Sequence, residues 1–438
     1  MKPHDKQLLN RIILIGAGIV LVSFCLWRAL QAHDIHSRLQ AIRAAGYPAT
    51  LAELDAYYPA VPAAENAAMA LAPAFAALRN DPDAHSNEFI ELIRSSRYSS
   101  LAPEKKQLVD RCLEINSHTL AVMAKAIRLP HARYPVDFSL GPETLLPHLD
   151  SLRDLAAICR ARAEQAIASG RPAEADEWTI DIFGLARTLE AEPILISYLV
   201  RDGIIRTGVR TLETRLNAGE LTAGEFAGLQ TELTNCDLPQ GLARALAGER
   251  ALTAPFIEDP SAFNHTASPV WAIVRTTGFF DRDLQYYLQA MSTNIALAGL
   301  PPPQNLGMIP IAEKMAENAR KGWYYMSSMI LPGVTWITLH EAESDANLRL
   351  AQTAIALEQF RLAEGRLPEH LAELAPQFLP AVPADPFDGQ PLRYHRLDTG
   401  YVVYSVGRDK QDDGGRERPA HAKSSDHTTY DLTFTVKR

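Results

Sequence analysis

Cysteine is scarce and scattered: four in 438 residues, Cys25, Cys112, Cys159 and Cys236, with no CxxC pair and no histidine at metal-ligand spacing. That pattern excludes a dense disulfide framework and a zinc knuckle. One bridge among Cys112, Cys159 and Cys236 fits the count, and buried free thiols are the expectation. Catalytic signatures are missing too: there is no G-x-S-x-G elbow, no Walker loop and no G-x-G-x-x-G. The stretch LHEAESD (339–345) begins like a zincin, but Ser344 stands where H-E-x-x-H needs its second histidine. Positive charge is short as well, with a net charge of −9 and no basic stripe interleaved with aromatics, so nucleic acid is not expected as a partner. Alternating β-branched runs are confined to about the last fifty residues, and no fixed internal period marks a repeat array.

What is present is ordinary globular composition, 47% hydrophobic and 22% charged, rich in Ala and Leu. The bulk reads as helical. Near the start, IILIGAGIVLVSFCLW (12–27) is uncharged, and with Arg28 snorkelling it approaches the roughly 20 residues that a membrane helix needs. It is a transmembrane anchor or a signal peptide. A cut after Ala32 would put Leu30 where a small residue is required, which favours an uncleaved anchor. Phe24 likewise spoils VSFC as a lipobox at Cys25. Basic residues flank both sides of the span, and the acidic bulk beyond it is expected outside the cytoplasm. The chain thus divides into a cytoplasmic stub and anchor (1–33), a helical extracytoplasmic domain (34–339) and a C-terminal module (340–438).

In the middle region, amphipathic segments are punctuated by Gly170, Pro172 and Pro193, which predicts three helices of about twenty residues joined as αα-hairpins, in a bundle or stack. Proline-rich stretches at 128–149 and 253–310 read as loops. GWYYMSSMILPGVTWITL (322–339) is apolar enough to raise the question of a second span. Pro332 and Gly333 in its middle, together with its Trp and Tyr content, favour a buried core element or an interfacial contact.

The C-terminal module has the most specific pattern. Ala346, Leu350, Ala354, Leu357 and Phe360 recur at helical spacing on one face, with Gly365 as the stop. After a short helix (HLAELAPQF) and the turn PADPFDGQP, LRYHRL, DTG and YVVYSV read as a β-hairpin, and DLTFTV as a last strand with Leu432, Phe434 and Val436 inward. The fold class is mainly α, with a small α+β module carrying a three-stranded antiparallel sheet.

From F-R-L-A-E-G-R-L-P through D-P-F-D-G-Q-P-L-R-Y to Y-S-V-G-R-D with G-G and D-L beyond, residues 340–438 resemble the C-terminal part of type II secretion major pseudopilins. That resemblance implies a loop binding structural Ca²⁺, with Asp409 and Asp431 at ligand positions and Asp412 and Asp413 as further candidates. Arg408 and Lys410 flank Asp409 and oppose a cation there. The N-terminus lacks the family's glycine-phenylalanine cleavage site, so assembly as a fibre subunit is not expected. More broadly, GYPATLAELDAYYP, ENAAMAL, LPHLDSLRDLA and DPFDGQPLRY resemble a group of membrane-anchored proteins of planctomycete and verrucomicrobial type whose role is uncharacterised.

Two functions follow as expectations. One is a single-pass protein of the cytoplasmic membrane with its bulk in the periplasm, a scaffold with protein partners in the cell envelope, associated with a type II secretion or pilus-like assembly. The other is an envelope hydrolase with its site in the proline-rich loops, where His131, His148 or Asp150 would converge on a cleft. No catalytic residue is assigned, and the missing motifs favour the scaffold.

Overall fold

No proline interrupts residues 4–44, and the apolar run continues without a break into a polar amphipathic turn, so both lie in one helix, α1 (Pro3–Ala44). The computed structural model describes residues 3–80, 87–238, 240–259, 274–331, 333–419 and 430–438. Parts of the loops expected at 253–310 and after Arg416 lie outside these described residues, as does Pro332. Residues 10–27 of α1 are uncovered, Ile12 at 59% exposure, and Leu30 beyond them is 68% exposed; α1 is the one described helix long and apolar enough to cross a membrane. Farther along, Ile35, Leu39 and Ile42 turn into a protein core.

The chain continues through α2 (Leu51–Tyr57), α3 (Ala67–Asn80), α4 (Asn87–Ser95), α5 (Pro103–Ile115), α6 (Ser117–Ala126), α7 (Pro147–Ala168), α8 (Pro172–Arg187), α9 (Leu195–Ala218), α10 (Ala223–Cys236), α11 (Gly241–Glu258), α12 (Phe279–Ala298), α13 (Met308–Lys321), α14 (Tyr325–Ile330) and α15 (Gly333–Glu364). Prolines open α5, α7 and α8 at positions where the missing N–H has no intrahelical partner to lose. The three helices expected between 149 and about 215 are α7, α8 and α9, and they pack on one another. Cys112, Cys159 and Cys236 are buried free thiols.

Two expectations need correction. Residues 253–310 are more helical than their prolines imply: α11 runs through Pro255 to Glu258 although Pro255 cannot donate to the Ala251 carbonyl, and α12 occupies much of the remainder. The HLAELAPQF segment is a single 3-10 turn, Leu371–Leu374, followed by turns, rather than a short α-helix. The apolar stretch 322–339 is not a continuous helix. It divides into α14 and the start of α15, burying Met326, Leu331 and Ile337 while exposing Trp323, Tyr325 and Met329.

The sheet is β1 (Arg393–Leu397), β2 (Gly400–Ser405) and β3 (Leu432–Val436), antiparallel in the order β1-β2-β3. The β1–β2 turn requires Gly400: its φ is +107°, and a Cβ there would collide with the Val436 carbonyl. The predicted stripe on α15 is buried throughout, from Ala346 to Phe360, and faces the sheet through Tyr401, Val403, Phe434 and Val436. The same apolar cluster includes α3 and α5–α10. The division at 339/340 therefore falls inside α15, and the module shares its core with the helical body. α9 also covers the outer edge of β3, where Glu213 accepts from the Thr435 N–H (2.8 Å) and Asn217 bonds the Thr435 carbonyl and the Lys437 N–H (2.8 Å each). Those side chains occupy an edge that would otherwise be open to pairing.

Candidate functional site

The candidate site lies where β2 ends and the charged loop begins. Its anchor is Asp385, in the DPFDGQP turn, which is fully buried. One carboxylate oxygen accepts the Phe387 N–H (3.0 Å) and the Ser405 hydroxyl (2.8 Å). The other accepts the Val406 N–H (2.9 Å) and the Arg393 guanidinium (2.8 Å). The turn is thereby fastened to the last residue of β2 and the first residue of the loop. An aspartate bonding its own chain two residues on is a recognisable turn signal, but its long reach to Ser405 and Val406 has no local signature.

Beyond Val406 the four predicted metal residues separate into two kinds. Asp412 is used by the loop itself, accepting the Gly414 N–H (2.9 Å) and the Tyr404 hydroxyl (3.1 Å). Asp431 is buried and closes the loop from the other side, accepting N–H bonds from Asp413 (3.4 Å) and Gly415 (2.7 Å). Burial pushes the Asp431 carboxyl above the usual aspartate range, while those two N–H donors pull the other way. Asp409 accepts the Gln411 N–H (3.1 Å) through Oδ1, but its Oδ2 is buried without a partner among the described residues, and so is Asp413 Oδ2. Among the described residues no three His, Cys, Asp or Glu side chains gather as a ready metal cage.

The positive charges that flank Asp409 in sequence are only half relevant in space. Arg408 turns away and forks onto Glu343 of α15, with Nη2 2.9 Å from Oε2. Lys410 is exposed, in a left-handed backbone conformation (φ 58°).

Alongside this loop, a polar groove of about 760 Å³ runs between α9, α15 and β3. Arg97, Arg206 and Arg210 form one wall, and they continue into a second hollow of about 600 Å³ that Arg94, Arg153 and Arg160 also line. Several of these cations are already paired, Arg94 with Asp154 and Arg160 with Glu164. Arginine forks in such a groove suit carboxylate or phosphate oxygens.

The residues of the hydrolase reading are placed otherwise. His148 is buried, its ring stacked on Tyr134 (centroids 4.1 Å apart), and Nε2 lies 3.0 Å from Glu192. Glu192 also accepts from the Tyr58 and Ser197 hydroxyls. The serine thus bonds the carboxylate and not the imidazole, which is a closed structural network and not a nucleophile–base pair. His131 lines a hollow of about 320 Å³ that neither His148 nor Asp150 lines. The Asp150 side chain is 80% exposed beside Arg153. Of the LHEAESD residues, His340 packs against Trp336 and Glu341 lies by Tyr198 and Asn305.

No family model matches the chain, and neither the curated proteins nor the solved structures contain a significant match to it.

Proposed function

We propose that this is a membrane-anchored extracytoplasmic protein of scaffold or protein-binding type, set in the cytoplasmic membrane with its bulk in the periplasm and working beside a type II secretion or pilus-like assembly. The observation that carries the reading is the continuity of α1. Its exposed apolar half passes without a joint into a half that is packed on α12, where Arg28 pairs with Asp281 and Gln285 bonds the Gln31 carbonyl (3.1 Å). A signal peptide cut after Ala32 would sever that helix within its packed region. The shared core of body and module supports the same reading, because it makes the pseudopilin-like end a fixed part of a rigid platform. A structural Ca²⁺ belongs to this proposal. Asp409 and Asp413 each offer an unbonded oxygen, which is what a hard cation seeks, and loop carbonyls would complete its shell.

Cross-linking of the full chain in intact membranes, followed by protease treatment of spheroplasts, tests the reading. The expected result is a body cleaved from outside and a secretion-type or pilus-like subunit cross-linked to it. A body protected until the membrane is opened overturns the orientation, and recovery of no such subunit overturns the scaffold role.

A further inference from the structure

Residues 322–331 spend large aromatic surface on solvent. Trp323 is 85% exposed, Tyr325 61% and Met329 66%, and Phe279 beside them is 48% exposed. Phe279, Trp323 and Tyr325, with buried Phe280 and Met326 and half-buried Tyr324, border an open apolar hollow of about 600 Å³, and Met329 lies one turn beyond Tyr325 on the same face of α14. Contiguous exposed apolar surface of this kind marks an interaction site, whereas scattered exposed side chains do not.

The segment is held firmly. Tyr324 stacks on Tyr286 with centroids 4.3 Å apart, and Arg282 lies over its ring. The Asp283 carboxylate accepts the N–H groups of Met326 (2.7 Å) and Ser327 (3.1 Å) and the Ser327 hydroxyl (2.6 Å). Trp323 has φ 61°, the left-handed residue that ends α13, and this turn lets the Tyr324 N–H reach the Ala319 carbonyl (3.0 Å) while directing the indole outward.

Position identifies the medium. Phe279 follows Gly278, which lies against the side chains of Arg28 and Gln31, and Asp281 pairs with Arg28. Arg28 is the residue at which the uncharged run of α1 ends. The aromatic face therefore sits level with the end of the apolar half of the anchor, where Trp and Tyr concentrate at the boundary between headgroups and acyl chains. Arg320, which lines the hollow, supplies positive charge suited to anionic headgroups, while Lys321 beside it is paired with Glu317.

We propose that Phe279, Trp323, Tyr325 and Met329 form an interfacial face immersed in the same bilayer that α1 crosses, so that the body lies on the membrane instead of standing off it on a stalk. The proposal rests on α1 being the anchor, and its test separates the two.

Full-length chains carrying a single tryptophan, Trp27 or Trp323, with the other tryptophans changed to Phe, are reconstituted in vesicles of phosphatidylethanolamine and phosphatidylglycerol. Lipids brominated at a shallow or a deep acyl position serve as quenchers. Trp323 emission is expected to fall by at least half with the shallow quencher and less with the deep one. Because Trp178 is partly buried in the core, a second chain changes only Trp323→Phe and should lose the shallow-quenched component that the native chain shows. Quenching of Trp27 with none of Trp323 leaves the anchor standing and overturns the interfacial face, assigning the patch to a protein partner. An unquenched Trp27 overturns the anchor and this proposal with it.

Discussion

The turn at 385–390 and the loop at 406–415 meet at the same end of β2, and both are acidic and contain glycine, yet their carboxylates are used in opposite ways. Asp385 has no exposure and four donors on its two oxygens. Asp409 and Asp413 lie partly open, each with an oxygen that nothing among the described residues satisfies. A carboxylate whose lone pairs are all taken by its own fold is a fastening; one with an unbonded oxygen beside backbone carbonyls is available to a ligand. Breaking the fastening should have the largest effect on the molecule. Asp385→Ala leaves two buried N–H groups and a hydroxyl without their acceptor, while Arg393 keeps Asp388, and should cost about 3–5 kcal/mol, since each unsatisfied buried donor costs roughly 1–3 kcal/mol. Urea denaturation of the full chain measures it, and a loss below about 1 kcal/mol would mean that water replaces the carboxylate freely.

A third arrangement sharpens the contrast. Glu341 is buried on α15 without an arginine fork, and its carboxyl is pushed up to about 8 by burial and by the neighbouring charge of Asp345. Asp202 on α9, also buried, is pushed up to about 7 by burial despite Arg206 and Arg201. The unfolded chain releases these protons near its ordinary values, 4.5 for Glu and 3.8 for Asp, while the folded chain keeps them. Between those limits the folded state binds more protons, so this contribution is fully present at low pH and is lost as pH rises, at no more than about 1.4 kcal/mol per pH unit for each proton. The urea midpoint should therefore fall between pH 6 and pH 8. Glu341→Gln, which cannot ionise, should flatten that slope, and an unchanged slope would remove Glu341 as its source.

These contrasts also show what a sequence makes legible. The helices of the body and the buried stripe of α15 could be read from it because apolar spacing and proline or glycine punctuation are local properties. The strands and the inward Phe434 and Val436 could be read for the same reason. Other features depend on pairings across the chain. Read along the chain, Arg408 opposes a cation at Asp409; in the fold Glu343, 65 residues earlier, takes its charge. Asp385 reads as one more turn aspartate until Ser405 and Val406 arrive from 20 and 21 residues away. His148 beside a proline could have served catalysis or packing, and Tyr134 and Glu192 decide for packing. The helical content of 253–310 was masked by prolines that fall at helix ends or outside α12.

The smallest effect in metal-free buffer is expected at Asp409, and it is the most informative one about function. Asp409→Ala removes a single bond to the Gln411 N–H from a half-exposed loop, so stability without Ca²⁺ should change by no more than about 0.5 kcal/mol. If the unbonded oxygens of Asp409 and Asp413 take a cation, Ca²⁺ at tenfold its Kd stabilises the native chain by about 1.4 kcal/mol, because it binds the folded state alone. The full chain is the right material, since the module's helix and strands share their core with α7–α10. Asp409→Ala and Asp413→Ala should each abolish the Ca²⁺-dependent rise in Tm. Asp412→Ala, whose carboxylate already serves Tyr404 and Gly414, should lower Tm with and without Ca²⁺ while keeping most of the increment. A native chain whose Tm is indifferent to millimolar Ca²⁺ would remove the cation reading, and the two buried unbonded oxygens would then mark a loop less completely fastened than the turn and nothing more.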